Sequence, residues 1–190
     1  MAAGRRRTLA RELAGRVAFE RRAYLLVPRE GQRTAYDEYI VSHRVRAKEM
    51  APELDFAIPR VGQPYPKSSL PAQLLAAAVA ERHPDRLEAL EDALFRAMFV
   101  ELRDISAADV LRDTARAAGV PEQLVEQALA DPELRDRVFA EHSEGVEAGV
   151  TGIPALVIPG YAAVTGAVPL DALRRAFEQV LAAPAPSQSA

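Results

Sequence analysis

Few side chains in this sequence are placed to do chemistry. The 190 residues include no cysteine, which excludes thiol nucleophiles, disulfides and thiolate metal sites for the chain as written. The three histidines, His43, His83 and His142, lie far apart and match no H-x-x-x-H ligand spacing, so no metal site is expected. "EHSEG" (Glu141 to Gly145) gathers His142, Ser143 and two carboxylates. Adjacent residues point to different faces of a helix, a poor geometry for a Ser–His relay, so this stretch reads as helix surface. "GRRR" (Gly4 to Arg7) sits in a basic start, where residues 1–22 hold seven arginines against two glutamates. No aromatic residue is interleaved with the Gly4–Arg7 run, so a solvated helix face is favoured over a phosphate or nucleic-acid site. Thr8 and Gly4 are candidate helix caps, and neither is an activated nucleophile. Tyr36, Tyr39 and Tyr65 read as core or rim packing. No catalytic residue is assigned.

The most unusual stretch is "GVTGIPALVIPG", Gly149 to Gly160. A β-prone run, Ala155 to Ile158, is entered directly through Pro154, with Gly152 two residues earlier. Proline cannot donate to a ladder, so it belongs at the first residue of a strand or on an edge. By spacing alone Thr151, Gly152, Ile153 and Pro154 read as the approach to an edge strand through a plain trans proline.

The elements that must position this loop come from a chain long enough for one domain with an inserted subdomain. Apolar residues make up 49% and charged residues 27%, the balance of an ordinary globular protein. Formal net charge is −3 and the pI about 5.7, which gives no basic field for nucleic acid. No apolar run approaches the ~20 residues of a membrane span. The start lacks the ~7–15-residue apolar core of a secretory signal, so the expected location is cytoplasmic.

A short helix is expected over 5–14, with Gly15 as its left-handed cap. Residues 17–27 alternate, with Val17, Phe19, Ala23, Leu25 and Val27 on one face and Arg21 the exception; they predict a strand. Tyr36, Ile40, His43, Ala47 and Met50 predict a helical stripe with Thr34 as N-cap. Residues 51–69 are proline-rich and read as an irregular connection. A helical block follows. Ser69 caps its first helix, and Leu87, Leu90, Leu94 and Met98 keep step in the second. Ser106 and Asp109 form a capping box for the third, which closes on Gly119. Asp131 and Pro132 open the last. Two short strands around a Pro159–Gly160 turn then precede a helix with Leu170, Leu173, Phe177 and Val180 on one face.

"GVTGIPALVI", then "YAAVTGAVP" and a terminal amphipathic helix, resembles the C-terminal half of DsbA-like thioredoxin-fold proteins. The nearest branch is the FrnE-like oxidoreductases, beside the 2-hydroxychromene-2-carboxylate isomerases. "ALFRAMFVELRDIS", "KSSLPAQLL" and "VAFERRAYLLVP" resemble further segments of that branch, over roughly residues 8–182. The resemblance implies an α/β thioredoxin-like fold with an inserted all-α subdomain and its first strand missing. Residues 5–30 and 150–182 form the core, 31–149 the helical subdomain and connections, and 183–190 a disordered tail. It further implies thiol–disulfide exchange, with Pro154 cis and the loop 151–154 docking an extended peptide or glutathione as an added strand. No other cofactor is implied. The family's first strand and C-x-x-C turn, or serine in the isomerases, are absent from these 190 residues. The expectation is a natural start upstream. Two alternatives are a strand donated by another chain, giving a homodimer through unpaired edges, and a collapse of the two edges. A glutathione-dependent isomerase relative and a non-catalytic peptide-binding module remain as other functions.

Overall fold

The computed structural model describes residues 2–182. The tail 183–190 lies outside the described residues. The order is α1 (Ala2–Glu12), α2 (Glu38–Met50), α3 (Leu70–Arg82), a 3₁₀ turn (Pro84–Arg86), α4 (Leu87–Phe99) and α5 (Ala108–Ala117). It continues with α6 (Gln123–Ala130), α7 (Pro132–Glu147), β1 (Ala155–Leu156), β2 (Val164–Thr165) and α8 (Leu170–Ala182). Two compact units emerge among the described residues: 2–22 with 143–182, and Ala23–His142.

The second unit is built around α3, which packs against α4, α5 and α6. Its sequence is apolar almost all round, as a central helix requires. Leu74, Leu75 and Val79 are fully enclosed, together with Leu90, Leu111 and Val125. The stripe Leu87, Leu90, Leu94 and Met98 faces this core, while Phe95 is left exposed. Asp131 caps α7, its Oδ1 accepting from Leu134 N at 3.0 Å.

Three expected caps are displaced, Thr34 because its backbone is held elsewhere and Ser69 and Ser106 because another partner takes the side chain. Thr34 caps nothing: residues 34–36 are held extended, Tyr65 N donating to Thr34 O and Tyr36 N to Gln63 O. Asp37 caps α2 instead, accepting from Ile40 N at 2.8 Å. The buried stripe of α2 correspondingly runs through Ile40, Arg44 and Ala47 to Ala51, leaving His43 and Met50 exposed. Ser69 stands at the start of α3 but its Oγ serves Val27 N at 3.1 Å; the hydroxyl of Ser68 accepts from Leu70 N instead. Ser106 gives both its N–H and its hydroxyl to Asp104, so the capping box with Asp109 does not form.

In the first unit, Leu9 of α1 and Leu13 just after it pack with Phe177 of α8. Leu156, Ile158, Leu170 and Leu173 close around them, and the Phe19 and Phe177 rings lie 5.5 Å apart. α1 begins at Ala2, so Gly4 and Thr8 lie inside it; the Thr8 hydroxyl donates back to Gly4 O rather than capping. Arg5 is taken up by the carbonyls of Ala167 and Val168 at 2.7 and 2.8 Å, and Arg6 and Arg7 also have partners. "GRRR" is thus not an open anion site.

The expected strand at 17–27 does not form. Burial alternates along it as a strand's would, Ala23, Leu25 and Val27 being buried between more exposed neighbours. The sole sheet among the described residues is β1–β2, and residues 17–27 join no ladder. Side chains do the pairing instead. Ala23 N donates to Glu141 Oε2 at 2.5 Å, Leu25 N to His142 Nδ1 at 3.3 Å, and Val27 N to Ser69 Oγ. Buried N–H groups must find acceptors, and acceptors on α7 and at the start of α3 supply them.

Candidate functional site

The loop 151–154 is placed by the end of α7. Gly149 takes φ +83°, a conformation that favours glycine, and closes the helix in a Schellman motif. Val150 N donates to Gly145 O at 2.9 Å, Gly149 N to Val146 O at 3.0 Å, and the Val150 side chain is buried. The chain leaves the helix at that anchor and runs through exposed Thr151 and half-buried Gly152 to Ile153 and Pro154. The Ile153–Pro154 peptide is cis. A Cβ on Gly152 would meet only Thr165 Cγ2, at 3.9 Å, so nothing in the chain itself demands glycine there.

β1 pairs antiparallel with β2, Ala155 opposite Thr165 and Leu156 opposite Val164. Gly166 N donates to Pro154 O at 2.7 Å. In the ladder Pro154 and Leu156 direct their backbone groups to β2, and Ala155 between them directs its own to the opposite edge; Ile153 and Val157 flank the two-residue strand. No described residue bonds the N–H or C=O of Ile153, Ala155 or Val157. The side chains alternate too. Leu156 and Ile158 pack into the Leu9–Leu13–Phe177 core, and Ile153 and Val157 stand 50% and 45% exposed. Pro159 and Gly160 form the tight turn expected, with Gly160 at φ +82° and Tyr161 N donating to Ile158 O at 3.0 Å, a type II turn. The strands themselves are only two residues each, with 157–163 between them.

From Ala148 to Leu170 the sequence carries no charged residue. Such a surface recognises by backbone hydrogen bonds and apolar contact, and offers no general acid or base. Among the described residues no group of three or more His, Asp and Glu could hold a metal ion, and no helix is long and apolar enough to cross a membrane.

A family model for the DSBA-like thioredoxin domain matches residues 19–178. The chain belongs to that family. Its fold is the thioredoxin-like α/β fold of DsbA proteins with a helical insertion. A probable DsbA oxidoreductase from Streptomyces coelicolor is 23% identical, with a TM-score of 0.75, over 100% of this chain and 88% of that one. A structure provisionally named a protein disulfide isomerase, from Nitrosomonas europaea, is 22% identical, with a TM-score of 0.74, over 94% of this chain and 89% of its own. At those identities both speak to the fold alone. No curated protein matches the chain.

Within this DsbA-like chain, the four loop residues chosen from sequence stand in one continuous stretch, and Ala155 and Val157 extend it. Glu141 and His142 were read as helix surface and instead hold Ala23 and Leu25. They lie six and five residues before the end of α7, and no local pattern links that position to residues 23–25. Tyr36 and Tyr65 are core, their rings edge-on at 4.8 Å, and burial pushes both phenols above their ordinary range. Tyr39 is exposed and stacks on His43 at 4.0 Å.

Proposed function

We propose that this DsbA-like chain binds an extended peptide along the open edge of β1. The observation that carries the reading is the outward-facing backbone of Ala155, flanked by Ile153 and Val157, whose N–H and C=O groups no described residue bonds. The added strand would take main-chain hydrogen bonds from those residues and lay its apolar side chains against Ile153 and Val157. Glutathione, itself a short extended peptide, is the smallest ligand of this kind. In the FrnE-like branch such docking serves thiol–disulfide exchange. The 190 residues contain no cysteine, so any reacting thiol comes with the ligand or from outside them.

The test is a titration of the ¹⁵N-labelled chain with a short valine- and threonine-rich peptide, followed by amide shifts. Binding should move Ile153, Ala155 and Val157 together. A peptide N-methylated at alternate positions, so that it cannot donate to the edge, should bind about tenfold more weakly, equivalent to ~1.4 kcal/mol. Equal binding of the two peptides, or shifts confined to other residues, would dismiss strand addition.

A further inference from the structure

The helical unit holds a cavity of about 480 Å³ that peptide docking does not use, since its lining runs from Glu30 to Asp104, within Ala23–His142. That volume lies in the range of small-molecule sites. Pro64, Tyr65 and Leu102 give it apolar walls. Tyr65 is only 7% exposed and is fixed edge-on against Tyr36. Leu102 holds φ +54°, a left-handed conformation that a residue with a Cβ adopts at a cost. It is kept there by the wide end of α4, where Arg103 N donates to Ala97 O at 2.8 Å, and by its packing against Val27, Tyr36 and Tyr65. Strained residues of this kind gather at ligand sites.

The charges around the cavity are of both signs and unequally satisfied. Arg33 is committed to Asp37 at 2.7 Å. Lys67 and Glu30 have no ion-pair partner among the described residues. Asp104 Oδ1 accepts from the N–H and the hydroxyl of Ser106, which leaves Oδ2. Behind the tyrosines lies Arg44, 6% exposed, 4.2 Å from the centroid of the Phe99 ring and bonded to Phe99 O at 3.4 Å, with no carboxylate beside it. The paired Arg33, the unpaired Lys67 and the carboxylates of Glu30 and Asp104 therefore rim an apolar cleft, with the buried Arg44 behind Tyr36 and Tyr65.

We propose that this cavity binds a small zwitterion with an apolar body, of the class of a free apolar α-amino acid. Its carboxylate meets Lys67, its ammonium lies between Glu30 and Asp104, and its side chain rests on Pro64, Tyr65 and Leu102. A ligand of one sign would leave part of the rim unmatched, and a neutral one would leave all of it so. The site stands independently of peptide docking on β1.

The probe is L-phenylalanine, compared with N-acetyl-L-phenylalanine, which lacks the ammonium, and L-phenylalaninamide, which lacks the carboxylate. Titrated into the full ¹⁵N-labelled chain, L-phenylalanine should shift the amides of Gly31, Thr34, Gln63 and Lys67 with a Kd of about 1 mM or tighter. Each blocked analogue should bind about tenfold more weakly, and Gly160 should not move in any titration. Lys67→Met should weaken L-phenylalanine and leave the amide unaffected. Glu30→Gln should weaken L-phenylalanine and leave the acetyl derivative unaffected. No shift at those four amides overturns the proposal. So does equal binding of all three compounds, or binding that neither substitution changes.

Discussion

Two stretches of this chain, residues 23–27 and 153–157, share one pattern and use it differently. In each, backbone groups face a direction with no neighbouring strand; Ala23, Leu25 and Val27 are buried, whereas within 153–157 only Leu156 packs against a core. At 23–27 that direction is filled: Glu141, His142 and Ser69 accept from Ala23, Leu25 and Val27. At 153–157 no described residue answers Ile153, Ala155 or Val157. The difference teaches that an edge is made safe by acceptors as well as by strands. The closed edge is structure, and the open one is where a ligand strand has something to pair with.

The strongest way to break that contrast is to open the closed edge. Replacing Glu141 and His142 together by alanine removes two acceptors from part-buried N–H groups. Each orphaned group costs about 1–3 kcal/mol, so a loss of about 2–4 kcal/mol is expected. In a chain of this size that lowers Tm by roughly 5–15 °C. Glu141→Gln keeps a side-chain oxygen acceptor and should stay within about 1 kcal/mol of the parent. An unchanged melting curve for the double variant would place both edges in one class.

The converse experiment closes the open edge. Val157→Pro deletes a donor that faces away from β2, where proline is tolerated. Stability should move by no more than ~0.5 kcal/mol, while peptide affinity, measured by calorimetry, falls about tenfold. A large fall in Tm with affinity intact would show that this N–H is used within the chain.

Helix starts follow the same rule, that the nearest available acceptor decides. Asp37→Ala should cost about 1 kcal/mol because its carboxylate caps α2. Thr34→Ala should change stability by less than ~0.5 kcal/mol, since Thr34 contributes only its backbone carbonyl to Tyr65 N. Urea titrations of the two variants would separate them, and equal costs would restore Thr34 as the cap.

The smallest effects concern pH. Burial holds the phenols of Tyr36 and Tyr65 above their ordinary range. A pKa raised in the folded state contributes fully below the unfolded value of about 10, and the contribution is lost as pH rises beyond it. Stability should therefore decline above about pH 10, less steeply in Tyr36→Phe and Tyr65→Phe. At the acid end, Arg174 beside Glu12, and Arg103 and Arg116 beside Asp113, hold both carboxyls below their usual range. Their contribution is lost as pH falls below about 4, and it is small because both pairs are exposed. Chemical denaturation across pH would check both limbs; a stability profile flat beyond pH 10 would contradict the burial of the tyrosines.

What was legible in the sequence was local. The stripe of α4 and of α8, the Asp131 cap, the turn at Pro159–Gly160 and the proline-led hairpin each depend on residues a few positions apart. The inward alternation of 17–27 was legible as well. The misplaced caps were not, because a competing partner lay far off in sequence for Ser69 and Thr34: Val27 for the first, Gln63–Tyr65 for the second. The roles of Glu141 and His142 were hidden for the same reason, and so were the walls of the cavity, drawn from residues 30–34, 63–67 and 102–104.

The sequence by itself determined which faces are apolar, where helices stop, and that no thiol is present in these 190 residues. These are properties of composition and of the 3.6- and 2-residue periods. Only the tertiary structure decided which backbone groups are answered. A strand-like pattern specifies burial of side chains, whereas a ladder needs a partner at ~4.8 Å. Residues 23–27 met the side chains of α7 and Ser69, and 153–157 met none on their outer edge. Which of two similar segments becomes framework and which becomes a binding edge was thus settled by what the rest of the chain carries to it.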